Sequence, residues 1–174
     1  GQGMPLSARA ASPSPLTTER ASEVRVATVH GDVQVTVPGA SFTSRSLQVG
    51  EVIPRGAHVR VGEEGAARLS LPNGVSVTLL PGAELGLYTL PASTSALFHG
   101  ALRVASPSRC QRAFPLAAGP VKVFLGCGDA VVDVTDDERA VRVATHRGSV
   151  RVRGAAGEYF VRAGHGVRQE LGRR

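Results

Sequence analysis

Short runs of alternating apolar and polar residues, separated by glycine, fill most of this 174-residue chain. Strict alternation places one face of a β-strand in a core and the other in water. The clearest runs are HVRV (58–61), ARLSL (67–71) and VSVTL (75–79). LFHGALRV (97–104), VKVF (121–124) and AVVDV (130–134) follow the same rule. One unit recurs: VRVATVHGDVQV runs from Val24 to Val35, and VRVATHRGSVRV from Val141 to Val152, 117 residues later. Each copy alternates, turns at Gly31 or Gly148, and alternates again. No stretch carries a helical period.

Turn chemistry divides these runs. Pro72-Asn73-Gly74 joins two alternating strands, and Asn-Gly supplies the positive φ angles of a tight turn. A second corner, Pro81-Gly82, follows, and 105–115, with two prolines and no glycine, reads as the longest loop. Many short strands with glycine corners predict an all-β fold. Recurrence of one unit near both ends favours a β-solenoid-like stack, because repeats usually bury their faces against neighbouring repeats. A β-sandwich is the alternative.

Composition narrows the class. The chain is 42% hydrophobic, enough for a sizeable core, and that fraction is mostly Val, Ala and Leu with 4% aromatics and no Trp. With 21 glycines, such a core suits strands better than helices. No run of about 18 apolar residues exists that would predict a membrane-spanning helix. Residues 1–22, rich in Ser, Pro, Ala and Thr, read as a flexible leader, and 23–174 as one all-β domain. The chain begins at Gly1 rather than Met, so a signal peptide or anchor was removed, or GQGM is a remnant of cloning.

Net charge is +6 and pI about 10.6, which raises the question of an anionic partner. From Arg139 onward nine arginines face only Glu158 and Glu170. Lys122 is the single lysine, so the arginine bias also fits a GC-rich genome. Nucleic acid is not expected, because Tyr88, Phe98, Phe124 and Tyr159 are too scattered for a stacking groove. Arg151 and Arg153, two apart on one strand, point to the same side. With Arg142 on a paired strand, and Arg162, they form a candidate basic patch for an acidic partner or anionic envelope polymer. A solvated strand face is the competing reading.

Other chemistry is thin. Cys110 and Cys127, 17 residues apart, do not make a zinc site, which commonly takes four ligands. In stacked short strands that spacing can return the chain to a neighbouring layer and allow a disulfide. Two buried free thiols are the alternative. His30, His99 and His165 each precede glycine, a common place for a polar residue, and no metal is expected. Asp129, Asp133, Asp136, Asp137 and Glu138 lack the spacing of a calcium loop. No Gly-x-Ser-x-Gly elbow is present, and many of the 14 acidic residues fall in predicted turns. No enzyme and no cofactor are expected.

The order of motifs from Val24 to Arg168 resembles the FecR periplasmic domain family. The sequence runs through VGEVIPRGAHVRVGEEGAARLSLPNGVSVTLLPGAEL, FHGALRV, GPVKVFLGCGDAVVDV, VRVATHRGSVRV and YFVRAGHGVR. The stretch from Gly65 to Leu85 is the most specific. The family's Gly-Thr element falls at Gly126-Cys127, with Cys in place of Thr. The resemblance implies a twisted β-solenoid and a non-enzymatic signalling role in the Gram-negative periplasm, linked to anti-sigma regulation. It also implies an envelope protein as partner, such as the signalling domain of a TonB-dependent transporter. The sequence carries neither the cytoplasmic segment nor the membrane helix of the best-known members. A stand-alone envelope protein with such a domain is therefore an equal expectation. A structural subunit of an envelope assembly, joined through strand edges or the basic C-terminal face, is the alternative.

Overall fold

A computed structural model of the chain describes residues 23–39, 43–89, 94–135 and 140–170. The predicted leader, residues 1–22, lies outside them, as do Asp136, Asp137 and Glu138. Sixteen strands occupy the described residues. The first eight are β1 (Val24–His30), β2 (Val33–Val37), β3 (Thr43–Ser46), β4 (Val52–Ile53), β5 (His58–Val61), β6 (Ala66–Ser70), β7 (Ser76–Leu79) and β8 (Glu84–Thr89). A long β9 (Thr94–Ala105) follows, then β10 (Phe114–Ala118), β11 (Val121–Leu125) and β12 (Asp129–Thr135). The last are β13 (Ala140–Arg147), β14 (Ser149–Gly154), β15 (Gly157–Arg162) and β16 (Gly166–Glu170).

These strands form two sheets joined through β9. The first has the order β4-β1-β6-β7-β9-β12-β13-β16. The second has the order β3-β2-β5-β8-β9-β10-β11-β14-β15. All pairings are antiparallel except β9 with β10. The all-β class and the short strands with glycine corners are as the sequence predicts. Solenoid-like and sandwich features coexist: each sheet adds strands nearly in chain order, and inward side chains of both sheets meet in one core.

Alternation accounts for that core. In β11 (VKVFL) and β12 (DAVVDVT) every second residue is buried, and in β6 Ala67 and Leu69 are buried while Arg68 and Ser70 are exposed. The leucines at 69, 79, 87, 97, 102 and 116 are the largest of its fully buried side chains. Each contributes roughly 1.5–3 kcal/mol by leaving water.

In β9 the alternation breaks, with Leu97 and Leu102 both buried five residues apart. The break falls at Gly100, whose φ is +80°. There the strand bends from the second sheet into the first, lying against Ala83 so closely that a Cβ would stand 2.6 Å from its Cα. Only glycine meets both demands.

Candidate functional site

The C-terminal end of the second sheet carries the most unusual surface on the described residues. It is built by β11, β14 and β15, whose register aligns Phe124, Arg151 and Phe160 in one row across the strands. Lys122, Arg153 and Glu158 form the next row. Because β14 alternates, Val150 and Val152 go into the core, and Arg151 and Arg153 are left on the outer face.

The Arg151 guanidinium lies 3.8 Å from the Phe124 ring centroid, and that of Arg153 lies 5.1 Å from it. Glu158 accepts from Arg151 Nη1 at 3.0 Å and from Arg153 Nη2 at 3.2 Å. Those two guanidinium groups, Arg151 first, hold the Glu158 carboxyl below its ordinary value. Stacking and ion pairing together orient both arginines, and each guanidinium keeps N–H groups that Glu158 does not take. A guanidinium's planar set of N–H donors matches a carboxylate or phosphate. Beside these arginines, Phe160 is 62% exposed, a large apolar side chain open to water.

A cleft of about 190 Å³ opens next to this row, between Phe124, Arg151 and Phe160 on one side and Gln111, Gly126 and Cys127 on the other. Gln111 and Ala113 of its lining belong to 106–113, within the stretch 105–115 that sequence alone reads as a loop. Five ties hold that loop down. Cys110 is bonded to Cys127, with their Cα atoms 4.5 Å apart. The Gln111 N–H donates to the Gly126 carbonyl at 2.7 Å. Asn73, from the β6–β7 turn, donates to the Arg112 carbonyl at 2.6 Å and to that of Leu125 at 3.0 Å. Asp129 accepts from the Ser106 N–H at 2.8 Å, and Arg147 donates to the Ser106 carbonyl at 2.7 Å. Asp129 and Arg147 also pair with each other, with both contacts at 2.9 Å. That guanidinium holds the Asp129 carboxyl below its usual range, against a smaller opposing effect of burial.

The four arginines singled out in the sequence separate into two groups. Arg151, Arg153 and Arg162 share the outer face of the second sheet, with Arg162 opposite Ser149. Arg142 does not join them. It lies on β13 in the first sheet, opposite Asp133 of β12 and Arg168 of β16. The physical reason is Gly148: the chain leaves one sheet there and enters the other, so β13 and β14 are not a hairpin pair. The aromatic members of the site, Phe124 and Phe160, are not among the residues the sequence points to as a site, though each sits next to a core residue on an alternating strand, on the face turned away from the core.

The histidines stay scattered. His30 is opposite Ala66, His99 is opposite Glu84, and His165 lies near the Ala163 carbonyl, 3.3 Å from Nδ1. Among the described residues no three His, Cys, Asp or Glu side chains gather as a metal site.

No family model and no curated protein matches the sequence. Among solved structures, the fold is similar to that of a candidate anti-sigma factor from Parabacteroides distasonis. One crystal structure of that protein, at 1.65 Å, superposes with a TM-score of 0.55 at 15% identity, and another, at 2.50 Å, with 0.54 at 14%. In both cases the match covers 65% of this chain and 54% of the other, so it spans about half of that protein's length. The likeness is one of fold.

Proposed function

We propose that this chain is a non-catalytic, regulatory protein-interaction module of FecR type in the bacterial envelope. It docks an envelope partner through the Phe124–Arg151–Arg153–Phe160 face. The observation that carries the reading is that face itself. It joins two oriented guanidinium groups to an exposed aromatic ring, and Arg and aromatic side chains supply much of the binding energy in protein interfaces. The fold shared with a candidate anti-sigma factor supports a regulatory role. The Cys110–Cys127 bond supports an oxidising compartment such as the periplasm. The partner that fits is a protein offering an acidic segment with an apolar anchor. A transporter signalling domain or an anti-sigma protein is the class the FecR reading implies.

The test is affinity capture of the tagged chain from envelope extracts of its native host, run beside an Arg151→Glu/Arg153→Glu variant. Recovery of a TonB-dependent transporter or an anti-sigma protein by the wild type, and its loss with the variant, supports the reading. Recovery of a large secretion or motility assembly instead supports the second reading, a structural subunit. Among the described residues β15 is an outermost strand, which favours that alternative, since an exposed strand edge can add a strand from another chain.

A further inference from the structure

The β15 edge is self-complementary, and we infer that two copies of this chain pair there, strand to strand, around a two-fold axis at Phe160. The inference concerns a second copy, and it stands whether or not the envelope-partner reading does.

Among the described residues, the outermost strands of the two sheets are β3, β4, β15 and β16. β4 is two residues long, and β3 (TSRS) is four exposed polar or charged residues. Short or polar edges are the usual protection against unwanted pairing. β15 has six residues, no proline, and Phe160 at 62% exposure in its middle.

Hydrogen-bond parity fixes which residues face the open side. The Ala163 N–H donates to the Gly148 carbonyl at 2.8 Å, and this pair continues the β14–β15 register of Ser149 with Arg162. Antiparallel ladders alternate hydrogen-bonded with non-bonded pairs. Val161, Tyr159 and Gly157 therefore turn their N–H and C=O groups to β14. Glu158, Phe160 and Arg162 turn theirs outward, with the Arg162 carbonyl already accepting from the His165 N–H at 2.9 Å. The side chains of the same three residues lie together on the exposed outer face, while Val161 is buried.

An antiparallel second copy centred on Phe160 matches the outward side chains of this edge. Phe160 faces Phe160 of the second copy. Glu158 faces Arg162 of the second copy, and the reverse contact repeats it by symmetry, as an isologous interface requires. On the inner face Tyr159 and Val161 of opposite copies are paired, two core-directed apolar side chains. About four backbone hydrogen bonds form across the junction from groups that the chain itself leaves open. The Arg162 guanidinium has no ion-pair partner within its own chain among the described residues, and the match supplies one. Pairing also joins the two Phe124–Arg151–Phe160 rows end to end into one continuous surface.

Sedimentation velocity of the full chain over a wide concentration range tests this directly. The wild type is expected to shift from monomer to dimer, and Phe160→Lys to raise the dissociation constant about tenfold or more. A cysteine scan reads the register. The described residues hold no free cysteine, and Cα atoms in a hydrogen-bonded antiparallel pair are about 5.5 Å apart, within disulfide range. Phe160→Cys should therefore oxidise to a covalent dimer. Arg162→Cys should not, because its two copies stand roughly 14 Å apart at about 3.4 Å per residue. A wild type that stays monomeric at every concentration overturns the inference. So does a Phe160→Lys dimer of unchanged affinity, or equal crosslinking at 160 and 162.

Discussion

The two copies of the VRVAT unit, one near each end of the fold, make the same corner from nearly the same residues. They differ in two informative ways. In both, the first strand lies in the first sheet and the second in the other, with the crossing at Gly31 or Gly148 (φ +67° and +69°). Val24, Val26, Val33 and Val35 are buried in one copy, and Val141, Val143, Val150 and Val152 in the other.

The first difference is where the extra residue of the strand is placed. In β1 the register shifts between Val26 and Thr28, so Ala27 is bulged and Thr28 turns outward. In β13 the shift skips His146, and Thr145 stays buried. The sixth residue of the unit explains this. Val29 packs against the core, so the strand must change parity before it, whereas polar His146 is left in water. The second difference is on the outer face, where Gln34 and Thr36 of the first copy are replaced by Arg151 and Arg153 of the second. Inner positions repeat because they build the corner. Outer positions are free to change, and there the second copy carries the two arginines of the proposed docking face.

The largest separation between the halves should come from Cys110 and Cys127, which brace only the second. Replacing both with Ser is expected to cost about 3 kcal/mol for a loop of this length. Denaturant unfolding with and without reductant measures it. Hydrogen exchange should then show β10, β11 and β14 losing protection before β1 and β2.

Next come the two corners, where the halves should behave alike. A Cβ on Gly31 would stand 2.8 Å from the Glu64 carbonyl oxygen, and one on Gly148 would stand 3.0 Å from the Gly128 Cα. Gly31→Ala and Gly148→Ala should each destabilise by roughly 1–3 kcal/mol, the cost of a non-glycine residue held at positive φ. A large gap between them in thermal unfolding would break the equivalence of the copies.

A smaller effect separates the threonines. The Thr145 hydroxyl is buried without a hydrogen-bond partner among the described residues. Thr145→Val should stabilise by about 1 kcal/mol, by removing that unsatisfied group. Thr28→Val, at the exposed equivalent, should leave stability near its starting value. Calorimetry of the two variants checks the bulge assignment.

The smallest effect is acid sensitivity. Because Arg147 lowers the Asp129 carboxyl below its unfolded value, the pair contributes stability above the ordinary carboxylate range. That contribution fades as pH falls toward the folded value. Asp129→Asn should therefore lower stability at neutral pH and flatten the acid limb of a stability–pH profile.

Alternation and glycine placement made the strands and core legible in the sequence, since both follow from single-residue geometry. Partner choice between strands was less legible. A lone glycine between two alternating runs reads equally as a hairpin or as a corner between sheets, so Arg142 was placed beside Arg151, although the two lie on different sheets. Asn-Gly at 73–74, with its specific turn chemistry, marked a true hairpin between β6 and β7. Its second role, Asn73 reaching the Arg112 and Leu125 carbonyls, spans 39 and 52 residues and leaves no local pattern. Phe124 is hidden for the same reason, because β11, which supplies it, is separated in the chain from the β14–β15 hairpin that carries Arg151 and Glu158.

The most direct test of the division between building inner positions and binding outer ones compares two charge reversals. Gln34→Glu/Thr36→Glu and Arg151→Glu/Arg153→Glu alter equivalent outer positions of the two copies and should both leave the fold intact by circular dichroism. In affinity capture from native envelope extract, the first should recover the wild-type partner in full and the second should lose it. Equal recovery by both would contradict the account.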